Sequence, residues 1–313
     1  MNARAKQWEA AGRRVLLTGA SGFIGSRLAA RLVDAGALVH AVSRVPRGTL
    51  SAGVHWWPLD LGDEPGTRSV VEAVAPEVIV HVAGWPVGAR SVAEVAPTFR
   101  SNLASTVNLL LAATQCGKPR VVLTGSLEEP VSNALHECAS SPYALSKWAA
   151  RAYGRMFHEL FELPVVTLRV FMVYGPGQRD VKKLIPYSIL AFLRGEPPRL
   201  SSGQREVDWV FVDDVVEAYL AAAFTPGIAG AAADIGSGRL VSIRDLVRQI
   251  AMVLDTSIEP QFGALADRPR EQVRVADLST AARVLGWQPR VPLEQGLRLT
   301  AAWYRDELRA GRV

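Results

Sequence analysis

The sequence has few cysteines, no long apolar run and no concentrated positive charge, and each absence argues against a class of protein. Only two cysteines occur among 313 residues, Cys116 and Cys138, so neither a disulfide framework nor a metal site is expected. No apolar run approaches the ~18 residues that cross a membrane. The net charge of +5 is not gathered into a Lys/Arg stripe, which argues against a nucleic-acid partner. We therefore expect a cytoplasmic protein without membrane, nucleic-acid or metal contacts.

A glycine-rich turn lies between an apolar strand and an amphipathic helix near the start of the chain. Val15 to Leu17 form the apolar run of a buried parallel strand, and three glycines follow at intervals of three residues. This spacing permits a tight turn, close approach of a phosphate to the backbone, and close packing of the helix. The free N–H groups of the helix would face the anion. The predicted dinucleotide contacts here are Gly19, Ser21, Gly22, Phe23, Ile24 and Gly25.

The end of the second predicted strand, Leu38 to Val42, indicates which dinucleotide is bound. NAD sites usually place an acidic residue there to bind the ribose hydroxyls, but no Asp or Glu occurs from 35 to 59. The strand is followed by Ser43 and Arg44, with Arg47 close by. A guanidinium suits a 2′-phosphate, although an exposed arginine without a ligand is the alternative. We predict that NADP(H) is favoured over NAD(H), with Ser43 and Arg44 in contact with it.

Further cofactor contacts are expected at later strand ends. An Asp-Leu pair after the third strand is placed to reach an adenine, and small residues after the fourth strand let the cofactor backbone lie close. A polar amide within a largely buried helix needs partners, so an asparagine there is expected to brace the site. These predicted contacts are Asp60, Leu61, Val82, Ala83, Gly84 and Asn102.

Alternating apolar and helical segments predict the fold. Six repeats of strand and helix indicate an α/β protein with a parallel, doubly wound (Rossmann) sheet. The alternation stops beyond Val173, and a smaller C-terminal lobe that closes over a cleft is expected. The predicted domains are 13–173 with about 205–225, and 174–204 with 226–313. The predicted strands are Val15–Leu17, Leu38–Val42, Val54–Pro58, Val78–Val82, Arg120–Thr124 and Val165–Val170.

Three later residues form a candidate catalytic set. Ser126 follows the fifth strand, and Tyr143 and Lys147 are four residues apart on one predicted helix, so they can meet. A tyrosine in water keeps its proton to pH ~10. A nearby lysine charge and a bound nicotinamide cation would lower that pKa, which would make Tyr143 a usable acid or base near neutrality. A serine hydroxyl can hold a carbonyl or alcohol oxygen. The set suits hydride transfer coupled to proton transfer, and Tyr143 and Lys147 are expected to contact the cofactor too.

The whole pattern resembles the extended short-chain dehydrogenase/reductase family, the NAD(P)-dependent epimerase/dehydratase group. This resemblance implies a Rossmann domain, a C-terminal lobe that binds a nucleoside-diphosphate sugar, and a Ser-Tyr-Lys catalytic set. It also implies a homodimer built on the helices Pro97–Cys116 and Pro142–Phe161. The matching residues are Thr18–Gly25, Asp60-Leu61, His81–Ala83, Asn102–Asn108, Ser126, Tyr143, Lys147, Tyr174–Pro176, Val212–Asp214, Arg268-Pro269, Asp277 and Leu285–Trp287.

Two positions depart from the family pattern. Met172 stands where the family often has an asparagine, and Val207 replaces a phosphate-binding arginine. Arg205 lies two residues earlier, on the same face if one strand covers both positions. Arg268 matches the family's diphosphate arginine directly. The resemblance therefore implies that Arg205 and Arg268 bind the substrate diphosphate.

Glu128 bears on the type of reaction. Dehydratases of the resembled family carry an acidic residue two positions after the catalytic hydroxyl, as Glu128 follows Ser126, but some ketoreductases carry glutamates there too. We assign Glu128 to substrate binding. Because the second strand favours NADP, the sequence favours NADPH-dependent reduction of the 4-keto group of a nucleoside-diphosphate 4-keto-6-deoxyhexose. The alternatives are an epimerase or 4,6-dehydratase with tightly bound cofactor, or a non-catalytic NADP-sensing protein, for which an intact Ser-Tyr-Lys set is not needed.

Overall fold

The computed structural model describes residues 9–44, 53–130, 139–267 and 272–313. The chain divides into two compact units. The first unit comprises Met1–Val170, Val216–Asp234 and Ser279–Trp287, and the second comprises Phe171–Val215, Ile235–Leu278 and Gln288–Val313. This division places 205–215 in the second unit and 226–234 in the first, whereas the sequence-based boundaries have the reverse.

The first unit contains a seven-stranded sheet in the order β3-β2-β1-β4-β5-β6-β9. Strands β1 to β6 pair in parallel, as the alternation of strands and helices predicts. The order reverses between β1 and β4, which is the position where doubly wound sheets bind their ligands. The strands are β1 Arg14–Thr18, β2 Leu38–Ser43, β3 Val54–Pro58, β4 Val78–His81, β5 Arg120–Ser126, β6 Val165–Val170 and β9 Ala232–Ile235.

Helices pack against the strands of this sheet. The longest begins with a serine N-cap: Ser141 Oγ accepts from Ala144 N (3.1 Å), and Pro142 occupies the first turn, where its missing N–H costs nothing. A six-residue π-helical segment, Phe99–Ala104, joins two of the helices into one run. The helices assigned to this part of the fold are α1 Phe23–Asp34, α2 Glu64–Val74, α3 Val95–Thr98, α4 Ser105–Gln115, α5 Pro142–Phe161 and α7 Val212–Phe224, the first residues of which belong to the second unit.

The second unit is built on a three-stranded sheet in the order β10-β8-β7. Its core contains Ile189, Val207, Phe211, Leu246 and Tyr304, all buried. The strands are β7 Met172–Tyr174, β8 Glu206–Phe211 and β10 Leu240–Ser242, and the helices are α6 Leu184–Leu193, α8 Ile243–Leu254 and α10 Leu293–Arg309. The short helix α9 Leu278–Thr280 begins in this unit and ends in the first.

Strand β9 is a seventh member of the main sheet that the sequence pattern does not predict. Backbone N–H groups of Thr167 and Phe171 donate to Ala231 O and Ile235 O (both 2.9 Å), so β9 runs alongside β6. The strand is only four residues long and carries Asp234, whose buried carboxylate pairs with Arg169. A short segment with a central charge lacks the apolar pattern of a buried strand.

Within the described ranges, no helix combines the length and apolar character that crossing a bilayer requires. Among the same residues, no cluster of three or more His, Cys, Asp or Glu side chains is arranged to hold a metal ion.

Candidate active site

The glycine turn after β1 is too crowded for side chains. Gly19 has a φ of +73°, and a Cβ there would lie 2.6 Å from Ala83 N at the end of β4. A Cβ on Gly25 would overlap Gly19 O and lie 2.7 Å from the Gly19 carbonyl carbon. The turn itself is closed by Gly22 N donating to Gly19 O (2.9 Å). The first and third glycines are therefore required by backbone packing.

The start of α1 fits a dinucleotide phosphate. Gly22 is the N-cap and supplies no side-chain cap, so the first N–H groups of the helix remain available to an anion. The structure places Gly22 at the surface, with Ser21, Phe23 and Ile24 partly buried beside it. The residues present thus form the cradle that NAD or NADP would need.

The residues predicted to contact the adenosine part of the cofactor lie at the ends of β2 and β3. Ser43 Oγ lies 3.5 Å from Ser21 Oγ, which places the end of β2 beside the glycine turn. Arg44 is exposed. Asp60 accepts from Gly62 N (2.9 Å) and pairs with Arg100 (3.0 Å). The hydrogen bond from Gly62 lowers the pKa of the Asp60 carboxyl most. The hydrogen bond and charge of Arg100 lower it further, and so does the charge of Arg44. Asp60 and Arg44 are therefore near enough to interact.

A buried histidine connects the end of β4 to the rest of the site. His81 Nδ1 lies 2.8 Å from Thr18 Oγ1, and its Nε2 lies 3.0 Å from Thr106 Oγ1. Thr106 donates to Asn102 O (2.6 Å), so its oxygen accepts from His81 Nε2 and the proton resides on Nε2. Burial, and to a smaller extent the charge of Lys147, lowers the pKa of His81 to about 3. The ring therefore stays neutral at physiological pH. The sequence alone indicates only a satisfied core histidine.

Asn102 braces the loop after β4, as expected for a buried amide. Its Oδ1 accepts from Trp85 N (2.6 Å), and its Nδ2 donates to Ser146 Oγ (3.0 Å) on α5. Ser146 in turn donates to Tyr143 O (2.8 Å). Val82 and Ala83 are partly buried and Gly84 is exposed, and a Cβ on Gly84 would lie 2.9 Å from Asn102 Oδ1. This network holds the small-residue loop against the start of α5. The predicted contact Leu61 is buried, and its carbonyl accepts from Asn108 Nδ2 (2.9 Å).

Ser126, Tyr143 and Lys147 lie together at the carboxyl end of β5. Ser126 is the last residue of the strand and is buried. A side-chain hydrogen bond joins Ser126 to Tyr143. Lys147 is also buried, and its Nζ donates to Thr124 O (3.0 Å), two residues before Ser126. The three side chains can therefore act on one bound molecule.

The pKa of Tyr143 differs from the sequence-based expectation. Desolvation of its hydroxyl raises the pKa to about 12; the Ser126 hydrogen bond lowers it, and the charges of Glu128 and Glu129 raise it. Burial lowers the pKa of Lys147 to about 8, and the charge of Glu129 raises it. In the protein without bound cofactor, burial therefore raises the Tyr143 pKa, whereas the sequence predicts that Lys147 and the cofactor lower it. Tyr143 carries its proton at neutral pH, and Lys147 titrates near the physiological range.

Glu128 borders the catalytic set. Its backbone N–H donates to Ser126 Oγ (3.2 Å). A Cβ on Gly88, in the loop after β4, would lie 3.5 Å from Glu128 Oε2. The carboxylate therefore lies beside this loop, and its charge is near enough to Tyr143 to raise the pKa of that hydroxyl.

Arg205, one of the two predicted diphosphate residues, belongs to the second unit. Arg205 comes just before β8, and its Nη2 donates to Gln272 O (3.4 Å). Val207 is buried in the apolar core of that unit, and Met172 packs against the same core. Strand alternation does not extend to Arg205, because β8 begins at Glu206. Arg268 lies outside the described residues.

Comparison with known proteins adds an independent observation. A family model described as the NAD dependent epimerase/dehydratase family matches residues 15–235. The UDP-glucose 4-epimerase of Mycolicibacterium smegmatis is 32% identical over 94% of this chain and 99% of its own length. The dTDP-glucose 4,6-dehydratase of Haemophilus influenzae is 28% identical over 93% of this chain and 97% of its own.

A solved structure, described as MoeE5 in complex with UDP-glucose and NAD, shares the fold. It is 32% identical, covers 94% of this chain and 99% of its own, and superposes with a TM-score of 0.83. The similarity extends over nearly the whole of each chain, so both units have counterparts in these proteins.

Proposed function

Since the chain belongs to the NAD dependent epimerase/dehydratase family, we propose that it is a nucleotide-sugar 4-epimerase that retains its NAD between turnovers. It is an oxidoreductase-type enzyme of the extended short-chain dehydrogenase/reductase group. The observation that carries the proposal is the grouping of Ser126, Tyr143 and Lys147 at the carboxyl end of β5. The end-to-end similarity to a UDP-glucose 4-epimerase supports this substrate class.

Each member of the set has a defined task in this proposal. NAD, which the glycine turn and the start of α1 would hold, would supply hydride transfer from and back to the sugar C4. The Ser126 hydroxyl, already bonded to Tyr143, holds the C4 oxygen. Tyr143 exchanges a proton with that oxygen. Lys147, fixed by Thr124 O, holds the ribose and supplies the positive charge that favours the tyrosinate.

The epimerase proposal replaces ketoreduction as the leading candidate. The sequence-based preference for a 4-ketoreductase depends on the absence of an acid after β2, which concerns the cofactor and not the sugar. The comparisons contain epimerases and dehydratases over nearly the full chain. NADPH-dependent 4-ketoreduction remains a second candidate, because Arg44 is exposed close to Asp60.

A direct assay separates the candidates. Purified protein is incubated with UDP-glucose or dTDP-glucose without added cofactor, and with a nucleotide 4-keto-6-deoxy sugar plus NADPH, and the products are identified by NMR and mass spectrometry. The proposal expects interconversion of UDP-glucose with its C4 epimer. A product lighter by one water indicates a dehydratase, and consumption of NADPH with the keto sugar indicates a reductase; either result without epimerisation contradicts the proposal.

Glu128→Gln tests the dehydratase alternative directly. Dehydration requires a carboxylate to take the proton beside the transient ketone, whereas epimerisation has no such step. We therefore expect Glu128→Gln to keep epimerase turnover within about tenfold of the parent, since only a bordering charge is lost. The measurement is the initial rate of C4 inversion. A variant as inactive as one without Tyr143 would contradict the epimerase assignment.

Arg44→Asp tests the cofactor contact at the end of β2. The change replaces a partner for a 2′-phosphate with a partner for ribose hydroxyls. We propose that Arg44 gives the parent chain affinity for NADP(H), and expect the substitution to shift the NAD-to-NADP affinity ratio by at least about tenfold toward NAD. Calorimetric titration of cofactor-free protein measures both affinities. Arg27→Ala on α1 is the control, and an unchanged ratio in Arg44→Asp would refute the contact.

The oligomeric state of the protein and the ligand of its second unit are proposals as well. We propose a homodimer through the helical run 95–115 and α5, because large apolar side chains are exposed there: Phe99, Leu111, Leu145, Trp148 and Tyr153. We also propose that the second unit binds the nucleoside diphosphate, with Arg205 and Arg268 on its phosphates.

A further inference from the structure

We propose that Glu129 is a positioning residue that fixes Ser126 relative to the helix carrying Tyr143 and Lys147. The proposal rests on the proposed function, since it assumes that these three residues form the catalytic set. Nothing in the epimerase chemistry uses Glu129 directly. Its carboxylate instead connects β5 to α5.

Glu129 is fully buried, and its two carboxylate oxygens bind two different elements. Oε1 accepts from the backbone N–H of Ser126 (2.8 Å), and Oε2 accepts from Arg151 Nε (2.5 Å). The exposed fraction of the side chain is 0% for Glu129 and 27% for Arg151. A buried carboxylate persists only when its oxygens are paired. The bridge from strand to helix is therefore made by a group that cannot be solvated instead.

Arg151 transmits the connection to the catalytic helix. It lies four residues after Lys147 and eight after Tyr143 on α5, so the three side chains share one face of the helix. Ser126 and Tyr143 are also hydrogen-bonded to each other. The Glu129–Arg151 pair is thus a second tie between the same strand end and the same helix. Loss of this tie would let the serine move relative to the tyrosine.

Gly125 leaves the space that the carboxylate occupies. A Cβ on Gly125 would lie 2.5 Å from Glu129 Oε1, while its next nearest neighbours, Arg169 Cα and Leu168 O, would lie at 3.5 Å. The glycine is within β5 and does not have a positive φ. Its lack of a side chain is therefore explained by Glu129 and not by backbone conformation.

Glu129 also contributes charge to the set. Its charge raises the pKa values of both Lys147 and Tyr143. The other titratable groups that face this cluster are Arg151 on α5, Glu128 on the same loop, His81 on β4 and Tyr219 on α7. His81 stays neutral, because burial holds its pKa at about 3. Removal of the Glu129 charge should therefore be felt mainly at Lys147.

The test compares Glu129→Gln with a matched control. Asp234→Asn breaks another buried carboxylate–arginine pair, in which Arg169 is also 27% exposed and which joins β6 to β9 instead of β5 to α5. We expect Glu129→Gln to lower kcat for C4 inversion roughly ten- to hundredfold with a smaller change in KM, because the serine is displaced. The alkaline limb of the pH–kcat profile should move to lower pH, since the carboxylate no longer raises the Lys147 pKa. At temperatures where the Asp234→Asn variant is folded, it should have the parental kcat and the parental alkaline limb of the pH–kcat profile.

A double-mutant cycle tests the crowding at Gly125. Gly125→Ala should lower kcat about tenfold in the parent and by less than twofold in a Glu129→Ala background, because the clash is then absent. The same coupling should appear in the midpoint of thermal unfolding. The proposal is overturned if Glu129→Gln behaves like Asp234→Asn, or if Gly125→Ala is equally costly in both backgrounds. If the parent turns over no nucleotide sugar, the proposed function fails, and the unfolding cycle alone decides whether Glu129 makes the predicted contact.

Discussion

Tyr143→Phe is expected to lose turnover by a factor of about 10²–10⁴, the usual contribution of a positioned acid or base. The phenylalanine keeps the ring on α5 but removes the hydroxyl that is bonded to Ser126 and that would exchange a proton with the C4 oxygen. Cofactor content should stay near the parental level, because the glycine turn is unaffected. Initial rates of C4 inversion and the bound cofactor per chain measure the two quantities.

The control for this substitution is Tyr153→Phe. Tyr153 lies on the same helix and is 41% exposed, so its hydroxyl is not part of the site. Its removal should leave kcat within about twofold, because the phenylalanine keeps the aromatic ring that the proposed dimer contact uses. A Tyr143→Phe variant that keeps more than a tenth of the parental rate would show that Tyr143 is not the group that exchanges a proton with the C4 oxygen.

Gly25→Ala is expected to abolish retention of the cofactor. The added Cβ would overlap Gly19 O and crowd the Gly19 carbonyl carbon and Ala20 Cα, and these three backbone atoms cannot rotate away. Overpacking typically costs about 1–3 kcal/mol of folding free energy, and relief requires α1 to move from the turn that would hold the pyrophosphate. The purified variant should therefore contain little cofactor and unfold at lower temperature.

Ser26→Ala serves as the matched substitution in the same helical turn. It removes a hydroxyl that donates to Phe23 O (3.2 Å) and adds no atom to the crowded turn. Its cofactor content should equal that of the parent. If Gly25→Ala retains a full complement of cofactor, the close packing of α1 on Gly19 is not what shapes the site.

The features that the sequence predicts well are local ones. The three-residue spacing of the glycines and the apolar run before them correctly predict β1, the turn and α1, because each depends on neighbouring residues. The four-residue spacing of Tyr143 and Lys147 places them on one face of a helix without tertiary information. The parallel sheet is confirmed, since regular alternation of strands and helices leaves few other topologies.

The features that the sequence misses depend on contacts between distant residues. Strand β9 is short and includes Asp234, which becomes acceptable only because Arg169 pairs with it on the neighbouring strand. Glu129 looks like a surface charge until Arg151, 22 residues later, is brought against it. The Tyr143 pKa is governed by burial, which the spacing of Tyr143 and Lys147 does not reveal.

Retention of a label at C4 tests the central claim most directly. Purified protein is incubated with UDP-glucose that carries deuterium at C4, without added cofactor, and the hexose is followed by NMR. The account predicts conversion to the C4 epimer with deuterium still at C4, because the hydride removed from the sugar returns to the same carbon. Recovery of unchanged UDP-glucose from protein that contains bound cofactor, or a product in which the label has left C4, would contradict it.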